Sequence, residues 1–143
     1  MTHKQDHGEA HMQIGDVAEQ TGLSLRTIRY YEEAGLIVPS TRTSGGFRLY
    51  TTVDSDRLNL IKRMKPLGFS LDEMRDLLWL LDELTADTSD DAVEVSLRQR
   101  IERFAESVDA RCELLREQLS AAGELAELLR RKSSVQVAQG GLE

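Results

Sequence analysis

IGDVAEQTGLSLRTIRYYEEAGL, residues 14–36, holds two short apolar stripes separated by a glycine turn. Ile14, Val17 and Ala18 fall at helical spacing before Thr21-Gly22, where a helix stops because glycine accepts a left-handed backbone without a Cβ clash. Ser24 stands where an N-cap hydroxyl is needed, and Leu25, Ile28 and Tyr31 form a second stripe running to Gly35. Two short helices joined this tightly predict a helix-turn-helix, with Leu25, Ile28 and Tyr31 toward the core. Arg26, Thr27, Arg29 and Tyr30 are left on the outer face, where guanidinium and hydroxyl groups suit a DNA major groove. The competing reading is a solvated helix face, with Arg29 paired to Glu32 or Glu33 three and four residues on.

Downstream, LIVPSTRTSGGFRLY (residues 36–50) sets Ile37 and Val38 against Phe47, Leu49 and Tyr50 across Gly45-Gly46, which predicts a small β-hairpin, or wing. Pro39 then belongs to an edge strand, whose open side needs no N–H. Arg42 and Arg48 flank the turn, with no acid close to Arg48 in sequence. Thr51 and Asp54 make a capping box for a helix with Leu58, Leu60 and Ile61 on its core face, and Pro66 ends it near Lys65. Ser70 and Glu73 cap another helix, with Met74, Leu77, Leu78, Leu81 and Leu84 as its stripe and Trp79 beside it as a packing residue.

Residues 85–91, TADTSDD, read as a loop, and a long helix follows. Leu97, Ile101, Phe104, Val108, Cys112, Leu115, Leu119, Ala122, Ala126 and Leu129 recur at spacings of three and four over about 40 proline-free residues, near 60 Å of helix. No second helix in the chain matches that length, so the economical partner is a second copy, paired in a two-fold, antiparallel coiled coil. Residues 133–143 are polar and read as a flexible tail, and residues 1–11 as a disordered tail. His3, His7 and His11 lie four apart, but nothing there nucleates the helix a metal site would require.

The expected layout is therefore a DNA-binding unit over 12–85, a loop over 86–92 and a dimerisation helix over 93–132. The fold class is α-dominated, a winged helix-turn-helix followed by a long terminal helix. The chain has 143 residues, 40% apolar and 30% charged, with 5% aromatics. That is about one globular domain with a helical extension. A net charge of −7 argues against nucleic acid only as a total. Between residues 12 and 68 eight Lys or Arg outnumber six Asp or Glu, whereas from residue 69 onward nine face seventeen. One half can lie on phosphates while the other meets solvent or protein.

No apolar run approaches the roughly 20 residues of a membrane span and no signal peptide is evident, so the expected location is cytoplasmic, with no membrane partner. A single cysteine, Cys112, excludes an internal disulfide and a thiolate metal cage. No nucleophile-base pair or phosphate loop points to an enzyme, and no cofactor is expected.

The four strings IGDVAEQTG (14–22), RTIRYYEEAGL (26–36), TSGGFRLY (43–50) and LGFSLDEMRDLL (67–78), in this order, resemble the MerR family of bacterial transcription regulators. The resemblance implies a homodimer on pseudo-palindromic promoter DNA that bends and untwists an overlong spacer for RNA polymerase, to activate or repress transcription. It implies that Arg42, Arg48 and Lys65 grip backbone phosphates. Two departures stand out: Phe47 replaces a tyrosine of many relatives, losing a hydroxyl but keeping the ring, and Pro66 follows Lys65 directly. Metal-sensing relatives carry a cysteine near the start of the dimer helix, where this chain has Thr88 and Ser89, and a cysteine pair after it, where this chain has no cysteine beyond Cys112; aldehyde-responsive ones carry a cysteine where it has Met64, so neither form of sensing is expected. Drug-binding relatives append a further C-terminal domain, for which about ten residues after the long helix are too few. The alternative function is an architectural, excisionase-like protein that bends DNA without activating polymerase.

Overall fold

A computed structural model describes residues 11–39, 41–42, 45–86 and 90–140. The elements are α1 (Ile14–Thr21), α2 (Leu25–Glu33), β1 (Thr41–Arg42), β2 (Arg48–Leu49), α3 (Thr52–Met64), a 3-10 turn (Lys65–Leu67), α4 (Leu71–Thr85) and α5 (Asp91–Gly140). No helix among the described residues is long and apolar enough to cross a membrane. Two compact units divide the chain, one through Ile101 and one from Glu102.

In the first unit the helix boundaries follow their caps. Ser24 Oγ accepts from the Thr27 N–H and begins α2. Reciprocal capping boxes of Thr51 with Asp54 and Ser70 with Glu73 begin α3 and α4. Each such cap satisfies N–H groups that a helix start leaves unpaired and contributes about 1 kcal/mol. Gly22 ends α1 at φ +73°, and Lys62 Nζ on α3 donates to the Thr21 carbonyl at 2.6 Å, closing the end of α1 from outside. As expected, α3 stops before Pro66.

The core of this unit is built from Val17, Ile28, Tyr31, Leu36, Ile37, Tyr50, Leu58, Ile61 and Met64, with Phe69, Met74, Leu78, Leu80 and Leu97, all at most 5% exposed. Removing such side chains from water supplies about 1.5–3 kcal/mol each for the larger aliphatics. Ile28 and Tyr31 lie inside as expected, but Leu25 does not: it is 41% exposed. Leu25 is the first residue of its helix, and Leu36 and Ile37 beyond the other end of α2 complete the apolar surface instead.

The hairpin differs from its sequence reading. β1 is not Ile37–Val38 but Thr41–Arg42, paired antiparallel with Thr41 opposite Leu49 and Arg42 opposite Arg48. Ile37 is consumed by the core, and Pro39 has no N–H for a ladder, so pairing starts beyond it. Tyr50 leaves the hairpin to pair with Met12, through backbone hydrogen bonds of 2.8 and 2.7 Å, which ties the entry to α1 onto the wing.

On α4 the single expected stripe becomes two buried sides. Leu80, about 200° around the helix from Leu78, is 1% exposed. Trp79, expected as a packing residue, is 48% exposed, and Arg100 lies 5.5 Å from its ring centroid. The ring contributes a cation-π contact at the surface rather than core volume.

α5 begins two residues earlier than expected because Asp90 Oδ1 accepts from the Ala92 and Val93 N–H groups at 3.0 and 3.4 Å. It also continues to Gly140, so residues 133–140, expected in a flexible tail, are helical. No proline interrupts them. Of the expected loop, residues 87–89 lie outside the described residues, as do 141–143 and 1–10, including His3 and His7. Within the second unit Leu115, Leu119 and Leu129 are 46%, 74% and 58% exposed. Phe104, Val108, Cys112 and Ala126 are half-exposed, and Ala122 is exposed.

Candidate nucleic-acid interface

The outer face of α2 is set by the burial of its inner one. With Ile28 and Tyr31 inside, Arg26, Arg29 and Tyr30 project outward and are exposed. Among the described residues neither Arg26 nor Arg29 has an ion-pair partner, so the pairing of Arg29 with Glu32 or Glu33 does not form. Thr27 is half-buried, and its Oγ1 accepts from Ser24 Oγ at 2.8 Å, so its hydroxyl belongs to the helix cap.

Phe47 and Arg48 approach α2 from the wing. Phe47 is 66% exposed. Together with Gln13, Ile14, Arg29, Gly46 and Tyr50 they line an open cleft of about 290 Å³. Lys65, in the 3-10 turn that follows α3, lines a shallow hollow with Tyr30 and Tyr31 of α2 and with Phe69, Leu71 and Met74. Arg42 sits opposite Arg48 in the strand register.

An acid stands beside Arg48 after all. Arg48 Nη1 lies 2.9 Å from Glu32 Oε1, while the Tyr50 hydroxyl donates to Glu32 Oε2 at 2.9 Å. Glu32 is nearly covered, its side chain 9% exposed, against 41% for Arg48. Burial of the Tyr50 ring, reinforced by the Glu32 carboxylate, pushes the phenol up to about 12, with Arg48 acting weakly in the opposite direction. Spacing offers no signal for this trio: Glu32 and Arg48 are joined only by the way the wing folds back on α2.

Three other cations serve the fold. Arg57 clamps Asp82 through Nη1 at 2.6 and 2.7 Å and donates to the Leu36 carbonyl. Arg75 donates to the Ala34 carbonyl at 2.7 Å, and Lys62 is held on Thr21. These groups close the carbonyls at the ends of α1 and α2; Arg57 and Lys62 are among the eight cations of residues 12–68, so that basic balance overstates the charge available to a ligand. Among the described residues no three His, Cys, Asp or Glu side chains converge as a metal would require, and Cys112 is a half-buried free thiol.

The arrangement places a helix face with Arg26 and Arg29, neither ion-paired among the described residues, beside a wing whose Arg48 is held by Glu32. Two family descriptions match the chain: MerR HTH family regulatory protein over residues 12–79, and MerR, DNA binding, over 55–131. The HTH-type transcriptional regulator CueR of Yersinia pestis is 46% identical over 69 residues, which are 48% of this chain and 50% of that protein. The mercuric resistance operon regulatory protein of Bacillus cereus is 48% identical over 69 residues, 48% of this chain and 52% of that one. The chain thus spans about half the length of these relatives. A crystal structure of HiNmlR, a MerR family regulator lacking the sensor domain, bound to promoter DNA, shares the fold at a TM-score of 0.59 and 24% identity, over 78% of this chain and 80% of that one.

Proposed function

The chain belongs to the MerR family of HTH regulatory proteins, and from that premise we propose that it is a homodimeric transcription regulator acting on pseudo-palindromic promoter DNA. Its DNA-binding unit is residues 12–85 and its dimerisation helix takes in 93–132. The observation that carries this reading is the shared surface of α2 and the wing, where Arg29, Phe47 and Arg48 line one cleft and Arg26 and Tyr30 stand exposed on the same helix. Arg26 and Arg29 meet base edges and nearby phosphates; Arg42, Arg48 and Lys65 hold the backbone on either side, with Phe47 against the sugar-phosphate edge. Thr27 orders the start of the helix that carries them.

The exposed leucines of the second unit support pairing with a second copy, since a solitary amphipathic helix leaves its apolar face in water. Two half-sites gripped by one dimer can hold the intervening duplex in a bent, untwisted form, at a deformation cost of a few kcal/mol met by phosphate contacts. On a promoter with an overlong spacer that distortion brings the two polymerase elements into register, and an effector acts by shifting the balance between conformers.

The test is transcription in vitro from templates carrying a sequence the protein binds, with the spacer at overlong and ordinary lengths. Activation confined to the overlong spacer is the expected result. Activation at every spacer length overturns the distortion mechanism. Bending of DNA without activation at any length assigns the protein instead to the architectural, excisionase-like class.

A further inference from the structure

We infer that Glu32 is a positioning residue for DNA binding, a nearly covered carboxylate that locks the wing onto the recognition helix by holding Arg48 and Tyr50 at once. This rests on the phosphate contact proposed above for Arg48.

Glu32 sits in the last turn of α2. Its two oxygens have different partners, Arg48 Nη1 at 2.9 Å on Oε1 and the Tyr50 hydroxyl at 2.9 Å on Oε2. Both partners lie on the segment that leaves the hairpin, whereas Glu32 belongs to the helix whose neighbouring turn carries Arg29. The hairpin itself has only two residues in each strand. A ladder that short cannot fix its own orientation. The Met12 backbone holds Tyr50 from the other side. A carboxylate pinned to the helix therefore supplies what the strands lack, and it fixes Arg48 relative to Arg29 across the cleft both line. Arg48 remains 41% exposed, so its guanidinium can keep Glu32 and still present N–H groups to a phosphate.

Simple electrostatics gives the opposite sign. An acid near bound phosphates repels them, so replacing Glu32 with a neutral residue should tighten binding to any duplex. If Glu32 acts by positioning, the same replacement frees Arg48 from its rotamer, and ordering that side chain and the wing must then be met on binding. Specific binding weakens although the protein has become less acidic.

The experiment uses the full chain and two fluorescent duplexes, one selected from a random-sequence pool by the wild-type protein and one scrambled from it. Dissociation constants are measured by anisotropy for wild type, Glu32→Gln, Arg48→Ala and the double variant. Glu32→Gln is expected to lose roughly tenfold on the selected duplex, to bind the scrambled duplex no more weakly than wild type, and to add little to Arg48→Ala. Absorbance titration of tyrosine should show one phenol moving down from its raised midpoint in Glu32→Gln, a signature that general loosening of distant structure does not produce. Tyr50→Phe, which keeps the aromatic ring and deletes the hydrogen bond to Glu32, should weaken the selected complex by a smaller factor, and it serves if Glu32→Gln does not fold. Equal or tighter binding of Glu32→Gln or of Tyr50→Phe to the selected duplex overturns the positioning role. Unchanged binding by Arg48→Ala alone removes the phosphate contact itself, a separate failure that the same four measurements identify.

Discussion

Arg48 and Arg26 are both exposed arginines, yet they answer to different constraints. Arg48 is held by Glu32 and has a fixed direction, while Arg26 has no ion-pair partner among the described residues and is oriented only by its helix. A phosphate contact carries no sequence information, so Arg48→Ala should weaken every duplex and flatten the salt dependence by about one unit per half-site. A base contact does carry it, and Arg26→Ala should relax preference at one base pair per half-site by about 1–3 kcal/mol. Binding titrations over a salt series on matched and single-mismatch duplexes measure both, and equal salt slopes for wild type and Arg48→Ala would remove Arg48 from the backbone contacts. Tyr50 provides a pH test. Its phenol rises from the ordinary 10.0 to about 12 in the folded chain, so the folded state holds a proton that the unfolded state has already released. The associated stability is complete below pH 10, declines above it and is gone once the pH passes about 12. Tyr50→Phe should lose the part of the alkaline destabilisation seen between these values in urea titrations.

At the scale of the element, caps and turns carry more than the hydrophobic pattern does. Ser70→Ala and Thr51→Ala each remove a side-chain acceptor from the first turn of a helix, and each should cost about 1 kcal/mol by urea denaturation. Gly22 has two constraints: φ is +73°, and an added Cβ would stand 3.1 Å from Lys62 Nζ. The lysine tip can move but the backbone angle cannot, so Gly22→Ala should cost roughly 1–2 kcal/mol from the left-handed conformation alone. Shortening Lys62 should not recover that loss; recovery in the double variant would show that the crowding, and not the backbone, sets the cost. The hairpin illustrates the limits of pattern. Alternating apolar residues on both sides of Gly45-Gly46 predict strands at Ile37–Val38 and 47–50, but the core takes Ile37, Pro39 blocks the ladder, and pairing moves out to Thr41–Arg42.

For the whole molecule, dimerisation decides whether one recognition helix or two meet the DNA. Leu115 lies at the middle of the expected seam and is 46% exposed in the single chain. Leu115→Glu should place a charge inside the paired helices at a cost of several kcal/mol. Sedimentation at micromolar concentration should show wild type as a dimer and the variant as a monomer, and a dimeric variant would place the seam elsewhere. The order of helix-turn-helix, wing and three further helices, the caps at Ser24, Thr51 and Ser70, and the outward set of Arg26, Arg29 and Tyr30 were all legible in the sequence. These features depend on neighbours three or four residues away, and local spacing specifies such neighbours. Glu32 beside Arg48, Met12 on Tyr50, Leu80 buried opposite Leu78, Trp79 at the surface under Arg100, and the loss of Arg57, Lys62 and Arg75 to carbonyl caps were decided by the tertiary structure. Each joins residues on different elements, and packing selects among partners that local spacing leaves equivalent, because only the assembled core determines which side of an element is covered and which charge is left without water.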